Sequence, residues 1–256
     1  MSLTQEKKVL LSASKKAGKV ILKYFGKNEK GKEKANKSLV SKADLEANQA
    51  IIKIIIKNFP KHRILSEETP FEDNNSDYKW VIDPIDGTHN FLRGIPIFGV
   101  SIALEYKNEV VLGALEFPTL KLTAFAEKGK GAFLNGKRLR VSANEEITHS
   151  FILYEFVQGT RHNVLEFLKR LSNETINIRN FGSAVYELML VANGQCDAFV
   201  LFSTNEWDIA AGMLLIAEAG GKVTGLRGNP CSPSNGSFVF SNGSIHNEIL
   251  RFLYDI

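Results

Sequence analysis

Asp83 and Asp86 stand three residues apart in the string Trp80-Val81-Ile82-Asp83-Pro84-Ile85-Asp86-Gly87-Thr88-His89-Asn90-Phe91. Trp80 to Ile82 reads as the end of a buried strand, and the ends of such strands are where α/β folds place ligands. Pro84 fixes its own φ and lacks an N–H, so the turn between the carboxylates is stiff. Hard cations such as Mg²⁺ take oxygen ligands in octahedral geometry, commonly one or two carboxylates with water and substrate phosphate. Two aspartates on one rigid turn could hold two such ions, with the Ile85 carbonyl as a further ligand. Gly87 and Thr88 then open a helix or turn whose N–H groups can face an anion. The plainer alternative is an Asp-Pro turn with an Asx cap, but carboxylates at a buried strand end need partners.

Two further acidic sites lie along the chain. Glu67-Glu68 follows the short apolar run Ile64-Leu65. By itself it reads as a solvated loop; one strand upstream of the aspartates, Glu67 could complete a two-metal site or act as base toward water on a metal. Asp208 sits in the first turn of the helix that starts at Trp207 and ends at Gly220-Gly221, where an acidic residue also favours the helix dipole. Other motifs fail. Gly131-Ala132-Phe133-Leu134-Asn135-Gly136-Lys137-Arg138 nearly matches a P-loop, but Arg138 replaces the required Ser or Thr, and Asn135-Gly136 signals a hairpin. The five histidines form no metal-spaced pair; His89 could line the site by adjacency, but it reads rather as an exposed turn residue. No G-x-S-x-G nucleophile elbow occurs.

The elements that must position these groups fall into two sets. Apolar residues at Val9, Ala13, Ala17, Val20, Ile21, Tyr24 and Phe25 mark one helical face, opened by a capping box at Ser2 to Gln5 and ended by Gly26. Asp44 is expected to be the N-cap of a second helix reaching about Asn58, before Pro60. Short buried strands are expected at 63–66 and 79–83, then an antiparallel meander through Val100–Leu104, Val110–Phe117, Leu120–Ala126 and Gly131–Leu134. Beyond about residue 145 strands and helices alternate: strand 151–156, helix 162–171, strand 176–180, helix 183–193, strand 197–202, helix 207–219, strands near 222–224 and 237–241, helix 244–254. That alternation predicts a second, mixed α/β layer set.

The 256 residues suffice for one large or two small domains, and a hydrophobic fraction of 44% supplies a core. A net charge of +4 does not argue for a nucleic-acid partner. Much of the excess lies at Lys27, Lys30, Lys32, Lys34, Lys37 and Lys42, a stretch that reads as a solvated loop. Cys196 and Cys231 have no paired spacing, which fits a reducing compartment. Lysines interrupt every apolar run near the N-terminus, and Ala50 to Ile56 is too short to span a bilayer. A soluble, cytoplasmic protein is expected.

Taken together, these motifs resemble the inositol monophosphatase family, within the lithium-sensitive Mg²⁺-dependent phosphatases. The match runs in order through Glu67-Glu68, Asp83 to Phe91, the Gly129 to Gly136 hairpin, Gly182-Ser183-Ala184 and the Trp207 to Gly221 helix. The resemblance implies an α+β chain folded as a layered αβαβα sandwich. Its N-terminal half, residues 1–145, would hold the meander and most metal ligands; its C-terminal mixed α/β half, 146–256, would hold Asp208 and the substrate-side residues. A homodimer is also implied. Glu67, Asp83 and the Ile85 carbonyl would hold a first Mg²⁺, Asp83, Asp86 and Asp208 a second, with a third, weaker ion near Glu67. Thr88 paired with Asp44 would orient or deprotonate the attacking water, with Glu67 nearby. Gly87 and Thr88 N–H groups, with Asp86 beside them, would meet the phosphate, and Gly182, Ser183 and Ala184 would line the alcohol side. The loop carrying Lys34 resembles the family's flap over the metals. The substrate would be a small phosphate monoester, attacked in line by water.

Three positions depart from the family pattern. Ser38 replaces a frequent Asp four residues after Lys34. Leu201 stands where inositol-hydrolysing members carry a Glu for substrate hydroxyls. Tyr154-Glu155-Phe156-Val157 is unlike the small-residue loop of relatives. Leu201 predicts poorer specificity for inositol 1-phosphate than for an ester with an apolar or flexible alcohol, unless Glu206 or Glu155 supplies the carboxylate from a shifted position. Histidinol phosphate, nucleotides and sugar phosphates are alternative substrates. Two other classes compete: an aspartyl-phosphate phosphatase, disfavoured because its two aspartates stand two apart rather than three, and a regulatory protein on a phosphatase scaffold.

Overall fold

The computed structural model describes residues 3–27, 30–34, 39–156 and 160–255. The first helix, α1 (Thr4–Ile21), starts after Leu3 and makes no side-chain cap; Ser2, half of the expected capping box, lies outside the described residues. It stops short of Gly26, and Tyr24 and Phe25 follow in turns, where Phe25 packs against Phe91 and Phe98. Within the Lys-rich stretch, β1 (Lys32–Glu33) pairs antiparallel with β2 (Leu39–Val40); Lys37 and Ser38 lie outside the described residues. Helix α2 spans Lys42–Asn58. Its N-cap is Ser41, not Asp44. Asp44 is the N3 partner of a capping box, its Oδ2 accepting from the Ser41 N–H at 2.8 Å and the Ser41 hydroxyl at 2.6 Å.

The larger sheet contains β3 (Arg63–Ser66), β4 (Thr69–Glu72), β5 (Tyr78–Asp86), β6 (Gly99–Tyr106), β7 (Glu109–Phe117), β8 (Leu122–Glu127), β9 (Gly131–Leu134) and β10 (Lys137–Arg138). Their order is β10-β9-β8-β7-β6-β5-β3-β4. From β5 to β10 each strand is antiparallel to the next, as the meander requires. Strand β3 lies parallel to β5. Strand β4, absent from the sequence expectation, contains Pro70; at the sheet edge a missing N–H is tolerated. The short helix α3 (Thr88–Leu92) follows β5 directly.

The smaller sheet holds β11 (Ile152–Glu155), β12 (Ile178–Arg179), β13 (Ala198–Leu201), β14 (Lys222–Thr224) and β15 (Phe238–Ser241) in the order β12-β11-β13-β15-β14. Strand β11 is parallel to both β12 and β13, while β15 is antiparallel to β13 and β14, so the sheet is mixed. Four helices complete this part: α4 (Arg161–Leu171), α5 (Ala184–Ala192), α6 (Glu206–Glu218) and α7 (His246–Phe252).

Three cores stack these elements into five layers, the αβαβα sandwich. Helices α1 and α2 bury Leu10, Ala17, Ile51 and Ile55 against Trp80 and Ile102 on the outer face of the large sheet. Between the sheets lie α5 and α6, whose Leu188, Ile209 and Leu215 meet Val81 and Leu115 on one side and Phe199 and Phe240 on the other. Helices α4 and α7 cover the far face of the small sheet through Phe167 and Ile249. Full burial of each such side chain contributes roughly 1.5–3 kcal/mol. Helix α6 lies directly on β7: a Cβ on Gly113 would stand 2.9 Å from the Ala211 carbonyl oxygen. The Ser101 hydroxyl of β6 donates to the Trp207 carbonyl at 3.0 Å, fixing the start of α6. No helix among the described residues is long and apolar enough to cross a membrane.

Candidate active site

Side chains alternate along a strand, so residues three apart should face opposite sides. Asp83 and Asp86 escape this rule. Asp83 pairs with Ser101 and Asp86 with Gly99, so three steps along β5 match two along β6. The extra residue is a bulge around Pro84, where no ladder N–H is missed. It reverses the alternation and brings both carboxylates to one side. Asp208 joins them from α6: one carboxylate oxygen each of Asp83, Asp86 and Asp208 lie within 4.8 Å of one another. Strand β5 therefore continues through both aspartates, beyond the expected 79–83.

Each carboxylate is held by its own set of donors. Asp83 Oδ1 accepts from the Ile85 N–H at 2.9 Å. Asp86 Oδ2 accepts from the Ser183 hydroxyl and from the Val185 N–H, at 3.2 Å for the latter. Asp208 is both a helix-start residue and a member of the cluster: its Oδ2 accepts from the Asn205 N–H at 3.0 Å and the Thr204 hydroxyl at 2.7 Å. Glu67 leaves the end of β3, where its N–H donates to the Ile82 carbonyl at 3.2 Å, and its Oε1 meets Lys34 Nζ at 2.7 Å. Lys34 also pairs with Glu68. Glu67, Asp83, Ile85, Asp86 and Asp208 all line one cavity of about 160 Å³. A larger cavity of about 970 Å³ between α4 and α7 contains none of these carboxylates.

Thr88 lines the same cavity, and its hydroxyl lies 3.0 Å from the Ile85 carbonyl and 3.4 Å from Asp44 Oδ1. Asp44 is buried behind it. Gly87 has φ +82°, and a Cβ there would meet the Ile97 carbonyl oxygen and the Ser183 Cβ, each at 3.1 Å. Glycine is thus required both by the backbone and by the close approach of the chain segment at 182–183. Ala184 lines the cavity, whereas Ser183 reaches it through Asp86 and Gly182 stands behind Gly87. Asn90 locks this arrangement, its amide donating to the Phe181 and Ile97 carbonyls at 2.7 and 2.9 Å. His89 is exposed and does not line the cavity.

Burial and mutual repulsion dominate the electrostatics. Burial first, then the charges of Glu67 and Asp208, push Asp83 well above the usual carboxylate range. Asp86 is pushed well above by burial and then by Glu155. Burial also raises Glu67 and Asp208, and Asp44 is raised to about 6. Such a cluster lacks positive charge, which Lys34 supplies only at Glu67 and Glu68. Oxygen donors alone, converging from β3, β5 and α6, fit a hard divalent cation.

Two groups on the far wall were not placed by motif. Glu155 and Leu201 are Cα partners on the parallel strands β11 and β13, and both line the cavity. Glu155 Oε2 is shielded from solvent and unpartnered among the described residues. Burial, then the charge of Asp208, raises Glu155 to about 7. Glu206, the other candidate for a displaced carboxylate, pairs with Lys79 and does not line the cavity. Ser203, Thr204 and Asn205 form the polar rim. Only the register between β11 and β13 brings Glu155 here. Val157, in the same unusual stretch, lies outside the described residues.

The sequence profile described as the inositol monophosphatase family matches residues 2–255. A Thermotoga maritima protein named fructose-1,6-bisphosphatase/inositol-1-monophosphatase is 39% identical over 94% of this chain and 93% of its own. The Nus factor SuhB of Pseudomonas aeruginosa is 35% identical over 94% of this chain and 93% of its own. The crystal structure of the extragenic suppressor protein suhB from Bartonella henselae superposes with a TM-score of 0.93 at 33% identity, covering 98% of this chain and 99% of that one. With this agreement in sequence, fold and extent, the chain belongs to the inositol monophosphatase family and is a phosphoric monoester hydrolase.

Proposed function

We propose that this protein hydrolyses the phosphate monoester of a small hydroxyl-bearing alcohol, inositol 1-phosphate being the reference substrate, with Mg²⁺ held by Glu67, Asp83, the Ile85 carbonyl, Asp86 and Asp208. The observation that carries this is the bulge in β5, which turns Asp83 and Asp86 to one side and toward Asp208. When bound, Mg²⁺ supplies charge to the phosphoryl oxygens and makes water a nucleophile near neutral pH. As the family resemblance implies, Glu67, Asp83 and the Ile85 carbonyl would hold one ion and Asp83, Asp86 and Asp208 a second, with a weaker third near Glu67.

The chain's own groups do the rest. The N–H groups of Gly87 and Thr88 hold the phosphate, with Asp86 beside it. Thr88 Oγ1 orients the attacking water and passes a proton toward Asp44, while Glu67 stands by as an acceptor. Ala184 shapes the alcohol side; Gly182 and Ser183 support it through Gly87 and Asp86. The convergence of Asp83, Asp86 and Asp208 supports a hydrolase rather than a regulatory protein on this scaffold.

The family likeness supports three finer points: a homodimer, a cytoplasmic location, and halves 1–145 and 146–256 acting as the two walls of the site. The test is turnover of a panel of phosphate monoesters by purified protein with Mg²⁺, then with EDTA. The reading stands if turnover needs Mg²⁺, and full activity in EDTA removes it. Trapping with hydroxylamine should yield no aspartyl-phosphate.

A further inference from the structure

We infer that Glu155 is the residue that selects the alcohol portion of the substrate, its free carboxylate oxygen pairing with hydroxyls of a polyol phosphate; this rests on the phosphatase reading above. Glu155 and Leu201 end two parallel strands and are direct neighbours across the ladder, so both side chains point to the same face of the small sheet. That face also carries Leu153 and Phe199, which pack toward α5 and α6. Neighbouring strands are only about 4.8 Å apart, so Glu155 presents to the cavity nearly the same wall as Leu201 does.

No partner among the described residues accounts for the placement of the half-buried Glu155. Its Oε2 is shielded from solvent and lacks a hydrogen-bond partner among the described residues. No ion pair to it exists among the described residues, in contrast to Glu206, which Lys79 occupies. A polar atom left this way destabilises the fold, and a ligand that satisfies it removes that penalty. Nor does Glu155 belong with the metal cluster, whose mutually close oxygens come from Asp83, Asp86 and Asp208. It lines the same cavity beside that cluster, on the small-sheet wall that it shares with Leu201, and this wall is open to the alcohol portion of a substrate. Ionised, the carboxyl accepts from a hydroxyl; protonated, it both donates and accepts. Leu201 beside it is a smooth apolar wall that accepts nothing. A site whose buried polar group needs a hydroxyl rejects alcohols lacking one, because the group then stays unpaired.

The experiment compares kcat/KM for inositol 1-phosphate with that for 4-nitrophenyl phosphate, which carries no alcohol hydroxyls, in saturating Mg²⁺. The natural protein is measured beside Glu155→Leu and the isosteric Glu155→Gln, with thermal melting of each to verify folding. The ratio of the two kcat/KM values should fall at least tenfold in Glu155→Leu, mainly through KM for inositol 1-phosphate. Glu155→Gln, whose amide still pairs with hydroxyls, should fall less. A ratio within twofold of the natural protein's in both variants overturns the inference, as does an equal loss on both esters, which would place Glu155 at the phosphate end. If the natural protein turns over other esters of the panel but not inositol 1-phosphate, the inference falls while the phosphatase reading stands; if it hydrolyses no ester of the panel with Mg²⁺, the phosphatase reading itself fails, and either is seen before any variant is made.

Discussion

The hydroxyl of Thr88 lies 3.4 Å from Asp44 Oδ1, with the Ile85 carbonyl as a nearer acceptor at 3.0 Å. One proton serves one acceptor well. A cation drawing on the Ile85 carbonyl would tip the hydroxyl toward Asp44 and leave its lone pairs facing the cavity. Thr88→Ala is therefore expected to lower kcat by about 10²–10⁴-fold, the usual range for a lost proton-transfer partner. KM should change much less, because the N–H groups of residues 87 and 88 remain. An unchanged kcat would remove Thr88 from the mechanism.

Asp83→Asn and Asp208→Asn each delete a negative ligand while nearly preserving shape. Charge stabilisation of several kcal/mol is at stake, so kcat/KM should drop roughly 100-fold or more in each. In Asp208→Asn the amide oxygen can still accept from Thr204 and Asn205, so the melting temperature should stay close to that of the natural protein. Near-normal turnover and Mg²⁺ dependence in Asp208→Asn would reduce Asp208 to its capping role.

Lys34 holds an ammonium where a cation beside Glu67 would sit. The two compete for the same oxygens. A partly exposed pair of this kind contributes about 0.5–1 kcal/mol, so Lys34→Gln should lower the Mg²⁺ concentration for half-maximal activity by roughly two- to five-fold. A raised requirement would mean that Lys34 assists rather than competes. Inhibition by millimolar Li⁺ is expected, as the family resemblance implies; activity indifferent to Li⁺ would count against the same set of ligands.

Burial raises Asp44 from 3.8 to about 6 and Glu155 from 4.5 to about 7. An unfolded chain binds these protons only near pH 4. Between about pH 4 and 7 the folded state therefore holds more protons than the unfolded one, and stability falls as pH rises. In EDTA the melting temperature should drop between about pH 5 and pH 8, and Mg²⁺ should restore more of it at pH 8 than at pH 5 because it binds the ionised form. A metal-free protein that melts higher at pH 8 would contradict the electrostatic picture.

How much of this is legible in the sequence depends on the range of the interaction involved. The Asp83-to-Thr88 string and the Trp207-Asp208 helix start carry their chemistry locally, and the meander follows from short-range alternation. The expected N-cap at Asp44 is wrong because Asp and Ser both cap helices, and Ser41 three residues earlier leaves the choice to geometry. Strand β4 is hidden by Pro70, which weighs against a strand unless its edge position is known. Glu155 is one of two candidates for a displaced carboxylate. Choosing between them needs the β11–β13 register and the Lys79–Glu206 pair, which link residues far apart in sequence.

The site draws on three layers: β3 and β5 in the large sheet, α6 in the middle, β11 and β13 in the small sheet. Asp208 enters more than a hundred residues after Asp86 and reaches it only because α6 is clamped between the sheets. Contacts this distant in sequence form late, since loop-closure entropy must be overcome first. A nascent or refolding chain thus has the Asp83–Asp86 turn long before it has a working centre, and divalent ions held by that turn alone would be weakly bound. Recovery of Mg²⁺-dependent turnover during refolding should then track the final docking of the two sheets rather than the appearance of secondary structure, making catalysis itself a late and stringent clock for assembly.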